Sequence, residues 1–240
     1  MMANPPARNR YFPFHALGFR CNPFRALTDE EWAEVAVLPE AIAAVLARGF
    51  VHLQILGPMG SGKTTVLLGL TTRFRQEGGR VAYEYLPDRQ HRFRTRVRDL
   101  DLFLLDEAQR LSLYQRARLL SAAAKQSQEG VRLVVSSHED LAPLFARRAL
   151  PLATVRLDAL TTAHLRPVLE QRLAYFALDG APRVTFAPDA VHYLQETFGA
   201  DLRAAEHFLY EVFQRWEPTG AITAAQLQEA SGLLIGGGAT

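Results

Sequence analysis

Cysteine is almost absent from the chain: Cys21 is the only one in 240 residues. A single cysteine cannot form an internal disulfide, and this favours a reducing compartment over secretion. The stretch Met1–Pro6 lacks the apolar region of a signal peptide, and the longest uninterrupted hydrophobic run, residues 41–47, is far shorter than the ~20 residues that span a bilayer. We therefore expect a soluble cytoplasmic protein with no membrane span.

Lysine is also scarce, since only Lys63 and Lys125 of the 27 basic residues are lysines. We attribute most of this bias to GC-rich codon usage. The net charge of +2 is too small to imply a nucleic-acid partner, so the positions of the arginines must decide that question. With 48% hydrophobic and 22% charged residues, the chain is neither collagen-like nor wholly disordered.

Short apolar runs alternate with helical patterns through the first two thirds of the chain. The runs typical of strands cover residues 50–56, 80–86, 102–105, 131–136 and 154–157. The helical patterns between them cover residues 66–74, 112–128 and 141–147. Strands separated by helices predict an α/β fold with a parallel sheet and right-handed crossovers.

Beyond residue 160 the patterns are helical only, over residues 162–178, 188–198, 201–216 and 223–233. Pro167 favours a start of the first of these helices nearer Arg166. Upstream of the sheet, a capping box at residues 28–31 precedes a helix interrupted at Pro39. The chain thus divides into an irregular and helical segment packed on the core (1–48), an α/β domain (49–160) and a small all-helical domain (161–240).

One segment carries a phosphate-binding pattern. Residues 57–64 read G-P-M-G-S-G-K-T and match G-x-x-x-x-G-K-[ST], between a predicted strand and a predicted helix as the pattern requires. Its glycines let backbone amides point at a phosphate, and the helix N-terminus adds its dipole. The Lys63 ammonium can reach the β- and γ-phosphates, and the Thr64 hydroxyl can ligate Mg²⁺. The predicted nucleotide-binding residues are Gly57, Pro58, Met59, Gly60, Ser61, Gly62, Lys63, Thr64 and Thr65.

An acidic pair follows the apolar strand at 102–105 and completes the site. A strand that ends in the sheet interior delivers Asp106 and Glu107 to the edge where ligands bind in such folds. We expect Asp106 to hold Mg²⁺ and Glu107 to orient the attacking water or accept its proton. The seven histidines form no H-x-x-x-H pair, so Mg²⁺ is the only metal we expect.

The sequence lacks two motifs that would indicate a nucleotide or an ATPase class other than the one we expect. All asparagines lie upstream of the phosphate loop, at Asn4, Asn9 and Asn22, so no N-K-x-D guanine-recognition motif exists. An L-S-G-G-Q segment, typical of transport ATPases, is also missing. ATP is therefore the expected nucleotide.

Together these motifs resemble the AAA+ ATPases, most closely those of the ExeA type (general secretion pathway protein A) and the TniB, TnsC and MuB transposition ATPases. Residues 18–24, G-F-R-C-N-P-F, are similar to the opening of the ExeA type, and residues 105–109, L-D-E-A-Q, are similar to its acidic segment. Residues 157–161, 171–173 and 186–190 follow its lid pattern. The resemblance implies a three-layer P-loop core, a helical lid and head-to-tail assembly of subunits into a ring or filament.

The resemblance also implies three further roles, for which five residues are candidates. Ser137 or His138, after the strand at 131–136, would serve as sensor 1, although the family's usual residue is Asn or Thr. Arg203, in G-A-D-L-R-A-A, would serve as sensor 2, or else form a surface salt bridge with Glu206 or Glu211. Arg147 or Arg148 would act as an arginine finger in a neighbouring subunit's site, a role worth ~10³–10⁵ in rate.

A basic cluster lies between the second strand and Asp106. Its five arginines are Arg89, Arg92, Arg94, Arg96 and Arg98. As a helix the cluster would contain like-charge i,i+4 pairs, and as a strand four arginines would line one face. Arginine binds phosphate through a bidentate fork, and in the AAA+ rings that this chain resembles, the same connection faces the central channel and binds duplex DNA. The alternative is a solvated face neutralised by Asp88, Asp99 and Asp101.

From these observations we expect an ATPase whose MgATP site controls an oligomer. The first hypothesis is a regulator that binds double-stranded DNA and a protein partner such as a transposase. The alternatives are an accessory ATPase for secretion or envelope assembly, like the ExeA type, and a scaffold that binds ATP but hydrolyses it slowly.

Overall fold

The computed structural model describes residues 13–124, 130–157 and 161–236. These residues form two compact units, one of residues 29–157 and one of residues 13–28 together with 161–236. The end of the helix predicted to reach residue 128, and part of the lid pattern at 157–161, lie outside the described residues. Whether the two units are separate domains with boundaries near residues 48 and 160 stays a prediction.

The first unit is a five-stranded parallel sheet with helices between its strands, as the alternating pattern predicts. Its strands are β1 (His52–Leu56), β2 (Val81–Tyr85), β3 (Leu102–Asp106), β4 (Arg132–Ser137) and β5 (Leu152–Arg156). Its helices are α1 (Asp29–Val35), α2 (Glu40–Arg48), α3 (Lys63–Gln76), α4 (Leu113–Ala123) and α5 (Ala142–Ala146). The strand order is β2-β3-β4-β1-β5. Since β4 lies between β1 and β3, the carboxyl ends of these three strands are neighbours at one edge.

Burial on both faces of the sheet explains its apolar strands. Every residue of β1 and β3 is buried, and β4 is buried from Leu133 onward. One core cluster, which includes Ile55, Leu67 and Leu104, lies on the α3 side, and a second, which includes Phe103 and Leu120, lies on the α4 side. Parallel strands covered on both faces read as continuous apolar runs, which is why these were visible in the sequence.

The second unit is helical, with α6 (Thr162–Phe176), α7 (Pro188–Phe198), α8 (Leu202–Arg215) and α9 (Ala224–Gly236). The expectation of an all-helical lid needs one amendment. Two short strands, β6 (Val184–Phe186) and β7 (Gly220–Ile222), pair in parallel beside these helices. Strands of three residues are too short to produce a periodic sequence signal.

The expected start of α6 near Arg166 is wrong. The helix begins at Thr162, where the side chain of Thr161 accepts a hydrogen bond from the amide of His164. Pro167 lies inside the helix, where it removes one intrahelical hydrogen bond. The cap and the buried face that begins at Leu165 outweigh that loss.

The described part of the N-terminal segment, which we expected to pack on the α/β core, contributes residues to both units. Residues 13–28 belong to the helical unit, whereas α1 and α2 belong to the sheet unit. Phe19 and Phe24 are buried with ring centroids 6.1 and 5.1 Å from the ring of Phe213 on α8. The Asn22 side chain donates to the carbonyl of Tyr210 at 2.9 Å. The aromatic residues of this segment therefore complete the core of the helical unit.

The buried imidazole of His52 gives the sheet unit a defined sensitivity to acid. His52 is 2% exposed, and its Nδ1 accepts a hydrogen bond from the Leu133 amide at 3.1 Å. Burial lowers the pKa of His52 from 6.5 to about 4. Between pH 6.5 and about pH 4, His52 binds a proton in the unfolded chain but not in the folded chain. Folding stability is therefore lost as the pH falls from about 6.5 to about 4.

We predict a loss of up to ~3 kcal/mol of unfolding free energy from this group across that pH window. Urea unfolding between pH 7 and pH 4 measures it. The control is His52→Asn, whose amide oxygen can accept from Leu133 but does not titrate, and which should show a correspondingly flatter pH dependence. Equal pH dependence in the wild type and the variant would show that His52 contributes nothing to acid sensitivity.

Candidate active site

The loop between β1 and α3 has a conformation that only glycine permits at several positions. Gly60 and Gly62 have φ of +82° and +85°, in the left-handed region. A Cβ atom on Gly57 would lie 2.6 Å from Ser61 Oγ and 2.9 Å from the carbonyl oxygen of Leu157. The backbone therefore curls tightly at the carboxyl end of β1 and delivers the chain to the N-terminus of α3.

Lys63, the first residue of α3, folds back over this loop. Its side chain is buried, and Nζ donates to the carbonyls of Gly57 and Pro58, both at 2.8 Å. The Ser61 hydroxyl is buried inside the loop and has no hydrogen-bond partner among the described residues. The tight loop therefore combines the Lys63 ammonium, the Ser61 hydroxyl and the N-terminus of α3. This combination fits an anionic phosphate group. Pro58, Met59 and Thr65 complete the predicted phosphate loop, and Met59 is largely exposed.

Asp106, at the end of β3, accepts four hydrogen bonds and is completely buried. Its Oδ2 accepts from the Thr64 hydroxyl at 2.6 Å and from the Tyr83 hydroxyl at 3.2 Å. Its Oδ1 accepts from the Ser136 hydroxyl and from the Glu107 amide at 3.1 Å. The structure thus brings the two predicted magnesium ligands into direct contact. A carboxylate and a hydroxyl are oxygen donors of the kind that Mg²⁺ prefers, so these residues fit the metal.

Glu107 has an unusual backbone conformation for a residue with a side chain, at φ 62° and ψ 41°. Its amide donates to Ser136 Oγ at 3.0 Å as well as to Asp106. Strained positions of this kind persist only where the surrounding structure holds them, and they concentrate at functional sites. Glu107 directly follows β3 and precedes the 3₁₀ turn Ala108–Arg110.

Three side chains hold the carboxylate of Glu107, whose side chain is 12% exposed. Gln109 donates to Oε2 at 2.7 Å, and an Arg110 nitrogen lies 3.3 Å from the same oxygen. His138 Nε2 lies 3.4 Å from Oε1. The carboxylate is therefore oriented from both sides, by the turn that follows β3 and by the loop that follows β4.

Of the two candidates for sensor 1, the structure brings only His138 to the site. The Ser137 hydroxyl forms a local turn, in which it donates to the Glu139 carbonyl at 2.6 Å and accepts from the Glu139 amide at 2.9 Å. Its neighbour Ser136 contacts Asp106 and Glu107 instead. Ser136, Tyr83 and Arg110 carry no sequence signal for these contacts, because their positions depend on strand order and on the turn after β3.

A buried glutamine on β1 holds the loop that carries His138. Gln54 Oε1 accepts from the Leu141 amide at 2.6 Å, and Gln54 Nε2 donates to Asp140 at 2.8 Å. The Ala142 amide and the Gln54 amide together hold the pKa of Asp140 below its usual value. The sequence signal that could have indicated this role is the presence of polar Gln54 in an otherwise largely apolar strand.

Of the three candidate arginines, two belong to the sheet unit and one belongs to the helical unit. Arg147 and Arg148 are exposed in the turn after α5, where Arg148 donates to the Ser121 hydroxyl at 3.2 Å. Arg203 lies exposed in the first turn of α8, in the helical unit. Glu206, one of its proposed salt-bridge partners, pairs with Arg172 at 3.1 Å, and burial raises the pKa of Glu206.

The basic segment, residues 88–99, forms neither a helix nor a strand. It is a loop that ends in a 3₁₀ turn at Val97–Asp99. Phe93 is buried against Phe103, with ring centroids 5.7 Å apart, and the Glu84 carboxylate accepts from the amides of Arg94 and Thr95. All five arginines of the segment are exposed. The segment is thus anchored through its apolar residues and its backbone, and it presents its arginines to solvent.

Local acids neutralise little of this charge. Asp101 pairs at 2.7 Å with Arg80, outside the segment, which lowers the pKa of Asp101 to about 2. Asp88 pairs at 3.0 Å with Arg110, also outside it. Within the segment, Asp99 lies 3.8 Å from Arg96, and both side chains are largely exposed. Exposed pairs of this length contribute little, so the segment keeps most of its positive charge.

No family model and no curated protein matches the chain. Solved structures do match. The RuvB Holliday junction branch migration motor of Thermotoga maritima matches with a TM-score of 0.55 and 18% identity, over 86% of this chain and 68% of that one. Domain III of the Thermotoga maritima replication initiation protein DnaA matches with a TM-score of 0.57 and 17% identity, over 86% and 97%.

AMPPCP-bound DnaA from Aquifex aeolicus also matches, with a TM-score of 0.54 and 17% identity, over 75% of this chain and 63% of that one. The chain has the AAA+ P-loop fold. At these identities the likeness establishes the fold and no more. Across the described residues, none of the helices is both long and apolar enough to cross a membrane.

The Ser136 hydroxyl should matter for stability, because it donates to a buried carboxylate. We predict that Ser136→Ala lowers the free energy of unfolding by about 1–3 kcal/mol, the cost of removing a partner from a buried charged group. Urea unfolding measures this loss. Ser121→Ala, which removes an exposed hydroxyl, is the control and should change the value by less than about 0.5 kcal/mol. Equal effects of the two variants would contradict the assignment of Ser136 to the Asp106 site.

Proposed function

We propose that the protein is an ATPase that binds and hydrolyses MgATP. The observation that carries this proposal is the direct contact of Thr64 with Asp106, beside the Lys63 loop and next to Glu107. A hydroxyl from the phosphate loop and a carboxylate from the neighbouring strand end are the pair expected to hold Mg²⁺ in P-loop proteins. The AAA+ fold and the AMPPCP-bound state of one similar structure support the choice of ATP.

The residues have distinct roles in this proposal. The loop amides and Lys63 bind the phosphates. Thr64 and Asp106 hold Mg²⁺, which when bound neutralises charge on the phosphate oxygens. Glu107 orients the attacking water or accepts its proton, while His138 and Gln109 keep its carboxylate in place. Ser136 and Tyr83 fix the Asp106 carboxylate through its two oxygens.

Three arginines remain proposed contributors to the site. Arg203 would contact the γ-phosphate as sensor 2, and Arg147 or Arg148 would reach a neighbouring subunit's site in a head-to-tail ring or filament. The exposure of all three guanidinium groups is compatible with these roles. In such an assembly ATP binding would favour the oligomer and hydrolysis would dismantle it.

Glu107→Gln separates binding from turnover. The amide keeps the size of the side chain but cannot accept a proton, so we expect kcat to fall by about 10²–10⁴-fold while MgATP binding changes little. Phosphate release measures kcat, and titration with a fluorescent ATP analogue measures binding. Arg73→Ala, on the exposed face of α3, is the control and should behave like the wild type. Turnover at the wild-type rate in Glu107→Gln would remove Glu107 from the mechanism.

We further propose that the ATPase is a DNA-associated regulator, resembling the transposition ATPases and working with a protein partner such as a transposase. The specific observation is the basic segment, whose arginines are exposed while Asp88 and Asp101 pair with arginines outside it. RuvB and DnaA, which share the fold, are by name a branch migration motor and a replication initiation protein. The competing hypotheses are an ExeA-like role in secretion or envelope assembly and a scaffold that binds ATP but hydrolyses it slowly.

Duplex DNA binding tests this role. We predict that Arg92→Ala combined with Arg94→Ala weakens binding uniformly across sequences and lowers the salt slope by about 2, because two phosphate contacts are lost. Fluorescence anisotropy over a range of salt concentrations, with ATP present, measures both quantities. Arg73→Ala combined with Arg75→Ala removes the same charge from α3 and should have a smaller effect. Unchanged binding in the first double variant would exclude the basic segment as the DNA site.

A further inference from the structure

Arg110 joins the catalytic carboxylate to the basic segment. It is the last residue of the 3₁₀ turn Ala108–Arg110, which directly follows Glu107. Its guanidinium lies between two acids, with one nitrogen 3.3 Å from Glu107 Oε2 and 3.0 Å from Asp88 Oδ1. Asp88 is the first residue of the basic segment. One side chain therefore contacts both parts of the molecule that the proposed function treats separately.

The same guanidinium also fixes the end of β2. It donates to the carbonyl of Leu86 and to the Tyr85 hydroxyl at 3.2 Å, and it lies over the Tyr85 ring, 5.7 Å from the centroid. A planar group with five donors can satisfy all these partners at once, which an ammonium cannot do. The Arg110 side chain is 24% exposed, so these contacts are partly shielded from solvent.

Contacts to main-chain atoms connect the same two segments as the Arg110 side chain. The Arg110 carbonyl lies 2.9 Å from Nδ1 of His91, and the Ser112 amide donates to the His91 carbonyl at 3.0 Å. Residues 86–91 and the turn after Glu107 are thus hydrogen-bonded to each other at several points. A ligand that holds Arg89 and Arg92 also holds the residues to which Arg110 is bound.

We infer that Arg110 is a positioning residue that orients Glu107 and transmits to it the occupancy of the basic segment, so that a bound polyanion raises turnover. The inference rests on the proposed ATPase function and specifies its regulation. Catalytic groups lose much of their effect when displaced by about 1 Å. A polyanion that fixes residues 88–92 therefore fixes Arg110 and, through it, the Glu107 carboxylate. Because Arg110 does not touch the phosphate loop, its contribution lies in kcat and not in KM for ATP.

The test measures steady-state ATP hydrolysis by the full chain with and without saturating linear duplex DNA at low salt. In the wild type we expect DNA to raise kcat about fivefold or more. In Arg110→Ala we expect basal kcat to fall about 10–100-fold with KM for ATP nearly unchanged, and the response to DNA to disappear. DNA affinity, measured by anisotropy, should remain that of the wild type, which a misfolded variant would not show.

Two further variants sharpen the test. Asp88→Asn removes only the ion pair on the segment side and should reduce the response to DNA. Arg118→Ala is the matched control: its guanidinium lies over the Phe93 ring, 4.9 Å from the centroid, so it touches the segment but not Glu107. It should keep both the basal rate and the response.

The outcomes separate this inference from the proposed function. If Arg110→Ala retains the wild-type response to DNA, or if DNA leaves wild-type kcat unchanged, the coupling is overturned while the ATPase assignment stands. A rise in KM for ATP without a fall in kcat would assign Arg110 to nucleotide binding and also overturn the inference. Absence of ATP hydrolysis by the wild type, with or without DNA, would overturn the proposed function itself.

Discussion

The buried carboxylate of Asp106 is the constraint around which the site is organised. An ionised group away from water is costly unless its oxygens accept hydrogen bonds, and Asp106 accepts four. The donors come from α3, from β2, from β4 and from the backbone of the next residue. Satisfying this one group ties together the phosphate-loop helix, the strands β2, β3 and β4, and the turn that carries Glu107. The strand order makes this possible, because it places β4 between β1 and β3.

The parts of this arrangement that rest on local patterns could be predicted from the sequence. The apolar run that ends at Asp106 and the glycine-rich loop that ends at Lys63 and Thr64 each carry their own signal, and the structure places Thr64 on Asp106 as the pattern implies. The parts that depend on neighbours in space could not be predicted. Ser136, and not Ser137, contacts Asp106, because the register pairs Leu105 with Val135 and so brings Ser136 beside Asp106, whereas Ser137 points to the opposite face of the sheet.

The conformation of the basic cluster also could not be predicted from local patterns. Its charge was evident, but the helix and the strand considered for it are both absent, because the burial of Phe93 and the Glu84 carboxylate fix an irregular loop. The spacing of residues in the sequence also does not predict that Asp88 and Asp101 pair with arginines outside the cluster. That pairing leaves the five arginines exposed, and it places Arg110 between the cluster and Glu107.

The central claim is that Thr64 and Asp106 bind Mg²⁺ together with ATP. Calorimetric titration of the protein with AMPPCP, with and without Mg²⁺, tests it most directly because no turnover is required. Our account predicts that Mg²⁺ strengthens binding in the wild type, and that Asp106→Asn keeps the Mg²⁺-free affinity but loses the strengthening. Equal binding with and without Mg²⁺ in the wild type, or full strengthening in Asp106→Asn, would contradict it.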